Sequence, residues 1–238
     1  MYKPIFAALI LSSSLWLVSC RGKDGKDMKP GSIYLDYKVW GDEDAGYITV
    51  RLQYRFGGHN GTTLLLEDPA KAELDGIRLK ADSSRMNGIY YEAIKPVKEF
   101  TGKHTIIFTD INKKQYPEEF SFQPISLKTR VPAVVSRDDL VFDLDGLEPQ
   151  DYVRVLLSDT VAFSEGVSRI DTVKNGRITI TKAQLRFLAN GPVHLEFSKE
   201  DEKKIRNGTR EAGNFSVSYG LKRDFILKDE DSLAVEDK

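Results

Sequence analysis

The chain has 238 residues, of which 35 are Lys or Arg and 36 are Asp or Glu, so its formal net charge is -1. Apolar residues make up 40% and charged residues 30%, which fits a folded chain and excludes extensive disorder or a protein with many membrane spans. The near-neutral charge excludes nucleic acid as an expected partner, because such binding depends on clustered basic charge. The single Cys excludes an internal disulfide framework and a zinc site built from Cys pairs.

The first segment of the chain has the features of a secretory signal. Residues 5–18 read IFAALILSSSLWLV and follow the basic residue Lys3. This apolar run is shorter than the ~20 residues that span a bilayer. A positive start, a short apolar run and a small residue before its end are typical of a signal peptide. We therefore expect residues 1–19 to be a signal peptide.

The end of this segment, Leu17-Val18-Ser19-Cys20, resembles the lipobox of bacterial lipoproteins. That pattern has an aliphatic residue, a tolerant position, a small residue and then Cys. The resemblance implies cleavage between Ser19 and Cys20, a diacylglycerol on the Cys20 sulfur and an acyl chain on its new amino group. Two or more chains hold a protein stably at a membrane, so the membrane is an expected partner through Cys20. The alternative is a structural Cys within a transmembrane anchor.

Residues 20–31 are rich in Gly and charged residues, which predicts a flexible tether. In lipoproteins generally, Asp directly after the lipidated Cys favours retention in the inner membrane. This chain has Arg21 there, so the resemblance implies an outer-membrane anchor in the cell envelope. Whether the protein faces the periplasm or the cell surface is left open.

Residues 32–126 contain the first series of predicted strands. Apolar and polar residues alternate over 33–39 and 48–56, which predicts two antiparallel strands joined by the polar turn 41–46. Gly, Pro, Asn and Asp turn signals separate five further candidates. These are 63–67, 76–80, 88–94, 104–110 and 119–123. About seven short strands in roughly 95 residues match an immunoglobulin-like sandwich.

Residues 130–227 form a second series, after a boundary that begins at Pro124 and ends at Pro132. The predicted strands are 140–144, 152–158, 169–173, 176–180, 193–197, 215–219 and 224–227. A short helix begins after its cap Thr181 and ends at Asn190-Gly191-Pro192, and a second helical turn is predicted within 199–205. The acidic residues 228–238 are predicted to be disordered.

These elements predict an all-β fold, with two immunoglobulin-like β-sandwich domains in tandem and a short helix in the second. A single larger domain is the alternative. In its architecture and lipobox alone, the chain resembles small two-domain immunoglobulin-like envelope lipoproteins of Bacteroidota. No motif that defines an activity accompanies this resemblance.

Candidate chemistry is sparse. The sequence has no Gly-x-Ser-x-Gly motif and no phosphate or dinucleotide loop. His59, His104 and His194 lack the spacing of metal ligands, and we expect all three to be exposed to solvent. The acidic turns 42–44 and 143–146 could attract calcium but lack the further ligands of an EF-hand. We therefore predict no catalytic residue, no metal and no cofactor.

Aromatic residues are the candidate binding surface. Trp40 and Tyr47 flank the acidic turn, and one of the adjacent residues Tyr90 and Tyr91 must face outwards if they lie on a strand. Exposed aromatic rings can stack on a sugar or anchor a protein partner. Ordinary packing at strand ends is the alternative.

Three short triplets are candidate modification sites. Thr160, Thr172 and Ser232 each follow Asp and precede an aliphatic residue, which resembles the O-glycosylation acceptor of Bacteroidota. Such a short pattern also arises by chance.

The sequence thus predicts a non-catalytic envelope lipoprotein that binds, scaffolds or adheres through a protein partner. The first alternative is a carbohydrate-binding or carbohydrate-processing accessory lipoprotein. The second is an enzyme with carboxylates between its domains, because the spacing of such carboxylates cannot be read from sequence.

Overall fold

The computed structural model describes residues 30–173, 175–205 and 208–229. The predicted signal peptide, Cys20, the tether up to residue 29 and residues 230–238 of the predicted tail lie outside them. In chain order the elements are β1 (Ile33–Asp42), β2 (Tyr47–Phe56), β3 (Thr62–Thr63), β4 (Lys71–Leu74), β5 (Ile77–Arg78), β6 (Ala81–Ser84), β7 (Gly88–Pro96), β8 (Gly102–Thr109), β9 (Gln115–Phe122), β10 (Ser126–Leu127), β11 (Val134–Ser136), β12 (Leu140–Asp145), β13 (Tyr152–Asp159), β14 (Val167–Thr172), β15 (Arg177–Ile180), α1 (Lys182–Leu185), β16 (Gly191–Lys204) and β17 (Gly213–Lys228).

One main sheet runs through the described chain in the order β14-β13-β16-β17-β1-β2-β7-β6, with β3 on β2 and β11 on β17. Two smaller sheets face it. The sheet β5-β4-β8-β9 packs on one half, where the Phe120 and Phe215 rings lie 4.9 Å apart. The sheet β10-β12-β15 packs on the other half, where the Phe142 and Phe197 rings lie 5.3 Å apart. The predicted all-β fold built from sandwiches is therefore confirmed.

The hairpin of β16 and β17 belongs to both halves. Gly191–Lys204 pairs with Asn214–Leu227 along its whole length, and residues 193–199 also pair with β13. Further along, residues 213–220 pair with β1 in parallel. The predicted domain limits 32–126 and 130–227 stay a prediction. In the main sheet, β17 from the second range pairs directly with β1 from the first.

The helical turn predicted within 199–205 is wrong. These residues continue β16 through Lys204, because residues 214–219 of β17 supply hydrogen-bonding partners for the strand. The two strands predicted at 215–219 and 224–227 are likewise one strand, β17.

The core lies between the sheets and follows the predicted alternation. Tyr37, Tyr54 and Phe108 are fully buried in the first half, and Phe197 is fully buried in the second. Burying an apolar side chain such as that of Phe108 or Phe197 stabilises the fold by about 1.5–3 kcal/mol. The predicted short helix is present as α1, and Thr181 forms the expected cap with Gln184.

No helix within the described ranges is both long and apolar enough to cross a membrane.

Candidate functional site

The outer face of the main sheet carries an organised group of polar and aromatic side chains. Outward positions on β1, β2 and β7 place Trp40, Arg51, Tyr90 and Glu92 next to one another, because Lys38 pairs with Arg51 and Arg51 pairs with Glu92 in the register. We call these four residues the Arg51 ladder.

Arg51 lies between the two aromatic rings of the ladder. Its Cζ is 4.9 Å from the ring centroid of Trp40 and 4.6 Å from that of Tyr90. Its Nε and Nη2 lie 2.9 Å and 2.8 Å from Oε2 of Glu92. The Arg51 and Glu92 side chains are only 24% and 23% exposed, so the guanidinium is held by two rings and one carboxylate. Such cation–π contacts contribute about 0.5–1 kcal/mol each at exposed positions.

Tyr90 is fixed in turn by β6. Its hydroxyl donates to Oδ2 of Asp82 over 3.3 Å. Partial desolvation and then the Asp82 carboxylate raise the pKa of Tyr90, which favours the protonated hydroxyl that donates this hydrogen bond. The ladder is therefore a preformed surface rather than a set of free side chains.

A second polar group lies on the same face at Asp36. This residue is 3% exposed, and its Oδ2 lies 3.4 Å from Nε of Arg55. Its Oδ1 has no hydrogen-bond partner among the described residues. Arg55 also donates from Nη2 to Oε1 of Gln53 over 2.7 Å. The face thus holds a buried carboxylate with spare acceptor capacity beside the ladder.

The predicted aromatic residues have different positions. Trp40 and Tyr90 lie in the ladder, and Tyr47 is exposed at the start of β2. Tyr91 points inwards, where its hydroxyl accepts from the Leu66 N–H over 2.6 Å. One of the two adjacent tyrosines therefore faces outwards, as strand alternation requires.

The histidines are far apart and have individual partners. His59 lies edge-on to Tyr34 at 5.7 Å between ring centroids, and Nδ1 of His194 lies 2.8 Å from Oδ1 of Asp224. The expectation that His104 is exposed is wrong, because its side chain is 9% exposed and its ring stacks on Phe100.

Three contacts hold His104 in place. Its Nδ1 lies 2.8 Å from Oδ2 of Asp75, its Nε2 lies 2.7 Å from the carbonyl of Phe100, and its ring is 3.9 Å from the Phe100 ring. The alternation of β8 could have indicated this orientation, because His104 shares its face with Ile106 and Phe108.

The two acidic turns are engaged by basic side chains. Glu43 pairs with Arg223 over 2.5 Å, and Asp143 pairs with Arg177 over 2.9 Å. A hydrogen bond from Lys128 is the main cause that lowers the pKa of Asp145. Among the residues that the structure describes, no three His, Cys, Asp or Glu side chains are arranged to hold a metal ion.

Two of the modification candidates lie on the surface. Thr160 is exposed in the loop after β13, and Thr172 is exposed at the end of β14. Ser232 and the predicted cleavage and lipidation residues Ser19 and Cys20 lie outside the described residues. All of these assignments stay predictions.

The sequence predicted Trp40 as a surface aromatic and required one of Tyr90 and Tyr91 to face outwards. It did not indicate Arg51, Glu92 or Asp36 as site residues. The signal that could have indicated this face is the set of polar residues that alternate with the buried ones on β1 and β2. This set includes Asp36, Arg51 and Arg55. Without the register between strands, these positions cannot be assigned to neighbouring sites.

No family model matches the chain, and no curated protein sequence matches it significantly. Several solved structures show a distant likeness. The structure on host cell surface retention of a 1.5-MDa bacterial ice-binding adhesin is 10% identical, over 85% of this chain and 67% of that one, with a TM-score of 0.27. DIP-gamma IG1+IG2 is 11% identical, over 79% and 94% of the chains, with a TM-score of 0.23.

A Bacteroides ovatus protein, SGBP-B of a mixed-linkage glucan utilization locus, was solved with a mixed-linkage heptasaccharide. It is 10% identical over 77% of this chain and 53% of that one, with a TM-score of 0.18. Likeness at this level carries no argument about function, and the assignment of β-sandwiches depends on the strands described above.

Proposed function

We propose that this chain is a non-catalytic binding protein of the bacterial cell envelope, held at the outer membrane by lipid on Cys20, and that the Arg51 ladder contacts a protein partner. The position of Arg51 between Trp40 and Tyr90 is the observation that carries the proposed contact surface. Trp, Tyr and Arg are the residue types most enriched among those that dominate the energy of protein interfaces.

The order of the ladder favours a protein over a sugar. A sugar ring stacks on a free aromatic face, whereas Arg51 already lies against the faces of Trp40 and Tyr90. The side chains are also held before any partner arrives, so little rotamer freedom is lost on binding. A partner would therefore meet a charged and aromatic surface at low entropic cost.

The contact surface is tested by site-specific crosslinking in cells. A photoreactive phenylalanine analogue at position 90 should give a discrete adduct with one envelope protein, and Arg51→Glu should abolish that adduct. The same analogue at Phe187, which is 58% exposed on the other half of the chain, is the matched control. Equal adducts from both positions, or none from position 90, would reject the proposed surface.

The carbohydrate alternative can be tested by the fluorescence of Trp40. Trp16 and Trp40 are the two tryptophans of the chain, so Trp40 is the only one after the predicted cleavage site. A saturable change in its fluorescence with an envelope polysaccharide would support the alternative and count against a protein partner. We expect no such change.

The anchor is tested independently of the surface. Cys20→Ala should block acylation and processing, so the variant should keep the mass of the unprocessed chain. Val18→Ala, which changes the tolerant position of the lipobox, should process normally. A mature-sized Cys20→Ala protein that still partitions into detergent would reject the lipid assignment.

A further inference from the structure

β14 is an open edge of the main sheet. The opposite edge, β6, has four residues, against six in β14. The longer edge strand β9 contains Pro117, which lacks an N–H, and its Glu119 carbonyl accepts from Lys203 Nζ over 3.2 Å. β14 contains no Pro, and no described residue other than its neighbour β13 hydrogen-bonds to its backbone. Open edges of this kind are templates for pairing with another chain.

The direction of the backbone groups in β14 follows from the register. Tyr152 lies opposite Thr172, and beyond this pair the N–H of Val173 donates to the carbonyl of Asp151 over 3.3 Å. Alternate residues of an antiparallel strand direct their N–H and C=O groups to opposite sides. The groups of Ser168, Ile170 and Thr172 therefore point away from β13, towards the open edge.

The sequence of β14 is complementary to itself. Arg169 and Asp171 flank Ile170 symmetrically. If two copies pair antiparallel with Ile170 opposite Ile170, then Ser168 faces Thr172 and each Arg169 faces the Asp171 of the other strand. Every pair with edge-directed backbone groups can then exchange two hydrogen bonds. If one strand slid by two residues, Arg169 would lie opposite Arg169, or Asp171 opposite Asp171, and such pairs of like charges are unfavourable.

We propose that β14 is the edge through which two copies of this chain pair, antiparallel about a two-fold axis at Ile170. The charge complementarity of Arg169 and Asp171 identifies a second copy as the occupant and selects this register. On the outer face Ile170 is 60% exposed and would meet its counterpart, with Tyr152 of β13, 62% exposed, nearby. Within one chain Arg169 already lies 2.8 Å from Asp171, so the pair would bring two such ion pairs together.

Pairing at β14 would bring two Arg51 ladders into one assembly. The two-fold axis is perpendicular to the sheet, so both ladders lie on the same face of the combined sheet. Two linked contact surfaces can bind a repeated partner with greater avidity than one. Pairing itself does not require the ladder, because β14 is separated from β1, β2 and β7 by β13, β16 and β17.

Sedimentation velocity tests the pair. The chain from residue 20 onwards, carrying Cys20→Ser, should show a concentration-dependent dimer. Ile170→Lys should weaken self-association at least about tenfold, because two lysines would then lie opposite one another. Ile94→Lys is the matched control, since Ile94 is 58% exposed on the same face but lies on β7. A monomer at every concentration, or equal effects of both substitutions, would overturn the proposal.

Charge exchange tests the register. Arg169→Asp and Asp171→Arg should each reduce dimerisation, and the two together should restore it, because the exchanged residues again face opposite charges. Arg169→Asp also removes the hydrogen bond from Arg169 to the Thr179 carbonyl, and either single change removes the ion pair within the chain, so circular dichroism checks folding. If a charge-exchange variant does not fold, the effect of Ile170→Lys on dimerisation tests the proposal instead.

A disulfide between two copies of an Ile170→Cys variant would show directly that residue 170 lies at the two-fold axis. Cys20 is the only Cys, so its replacement leaves a background without thiols. Paired residues in an antiparallel sheet lie about 5.5 Å apart at Cα, within the range that a disulfide spans. Ile170→Cys should form a covalent dimer on mild oxidation, whereas Ile94→Cys should not. Crosslinking by both or by neither would contradict pairing at Ile170.

The Arg51 ladder has a separate test. Arg51→Glu should leave the dimer intact, so loss of partner binding and loss of self-pairing can be told apart.

Discussion

Nζ of Lys203, near the end of β16, lies 2.5 Å from Oε1 of Glu118 on β9. The ammonium also lies 5.1 Å from the ring centroid of Phe215. Glu118 occupies an inward position of β9, and its side chain is 11% exposed, compared with 48% for Lys203. A carboxylate removed from water in this way is unfavourable without a counter-charge. The C-terminal hairpin therefore contributes a charge that the first half of the molecule needs.

Replacing Lys203 by Met should destabilise the protein. Glu118 would lose its counter-charge, and because the lysine is half exposed we expect the free energy of unfolding to fall by only about 1 kcal/mol. Urea unfolding measures the change, and a second substitution, Glu118→Gln, should recover most of it. Lys103→Met on neighbouring β8, an exposed residue, is the control and should have little effect. An equal loss in both lysine variants would show that the ion pair contributes nothing specific.

Two buried threonines should respond in opposite directions to the same substitution. Oγ1 of Thr109 is buried without a hydrogen-bond partner among the described residues, whereas Oγ1 of Thr63 accepts from the Ile89 N–H over 2.8 Å. Thr109→Val removes an unsatisfied polar atom and should raise the free energy of unfolding by up to about 1 kcal/mol. Thr63→Val should lower it by about 1–2 kcal/mol, since an N–H loses its acceptor. Urea titrations that shift in the same direction would refute this reasoning.

Local pattern predicted much of the fold. The alternation in β1 and β2 places Tyr37 and Tyr54 in the core, and Thr181 caps α1 as expected. β4 and β6 were missed, because Lys71–Leu74 and Ala81–Ser84 are short and contain few residues with high strand propensity. The continuous β16–β17 hairpin was missed because pairing between distant strands leaves no periodic signal within either strand.

The candidate site was less predictable than the fold. The sequence predicted Trp40 as a surface aromatic and required one of Tyr90 and Tyr91 to face outwards. The position of Arg51 between Trp40 and Tyr90 depends on the register of three strands. His104 was expected at the surface, but its burial depends on Phe100 and Asp75, which precede it by 4 and 29 residues. The sequence pattern predicts on which face of the sheet a side chain lies, whereas its neighbours depend on the order and register of the strands.

Arg137 should be important for the stability of the second half. Its guanidinium donates to the Leu185 carbonyl, to the Leu188 carbonyl over 2.9 Å and to Oδ1 of Asn190 over 2.8 Å, and it lies 2.6 Å from Oδ1 of Asp229. The Leu185 carbonyl lies at the end of α1 and also accepts from the Leu188 N–H over 3.2 Å, and Leu188 itself lies three residues beyond the helix.

Arg137→Met should therefore lower the free energy of unfolding by about 2 kcal/mol, because several acceptors lose a charged donor. Arg137→Lys should recover only part of this loss, since a single ammonium cannot reproduce the planar fork of donors. Thermal unfolding followed by circular dichroism measures both variants. A lysine variant as stable as the wild type would show that charge alone is sufficient.

Asp159 should make the free energy of unfolding depend on pH at low pH. Its Oδ2 accepts from the Ala189 N–H over 2.6 Å and its Oδ1 accepts from the Val161 N–H over 2.9 Å. The bond from Ala189, then that from Val161, lowers the pKa of Asp159 below its ordinary value of 3.8. A carboxyl with a depressed pKa in the folded state stabilises the fold fully above its unfolded value, and this contribution is lost as pH falls through the folded value.

Asp159→Asn should therefore be less stable than the wild type at neutral pH, because the amide is a weaker acceptor for these N–H groups. As the pH falls below about 4, the wild-type carboxylate becomes protonated and the difference should narrow. Urea unfolding of both proteins across this range measures the gap. Asp44→Asn, in the exposed β1–β2 turn, is the control, because no hydrogen bond to the Asp44 side chain is present in the described part of the chain. A gap between wild type and Asp159→Asn that stays constant with pH would show that the carboxylate does not act through its charge.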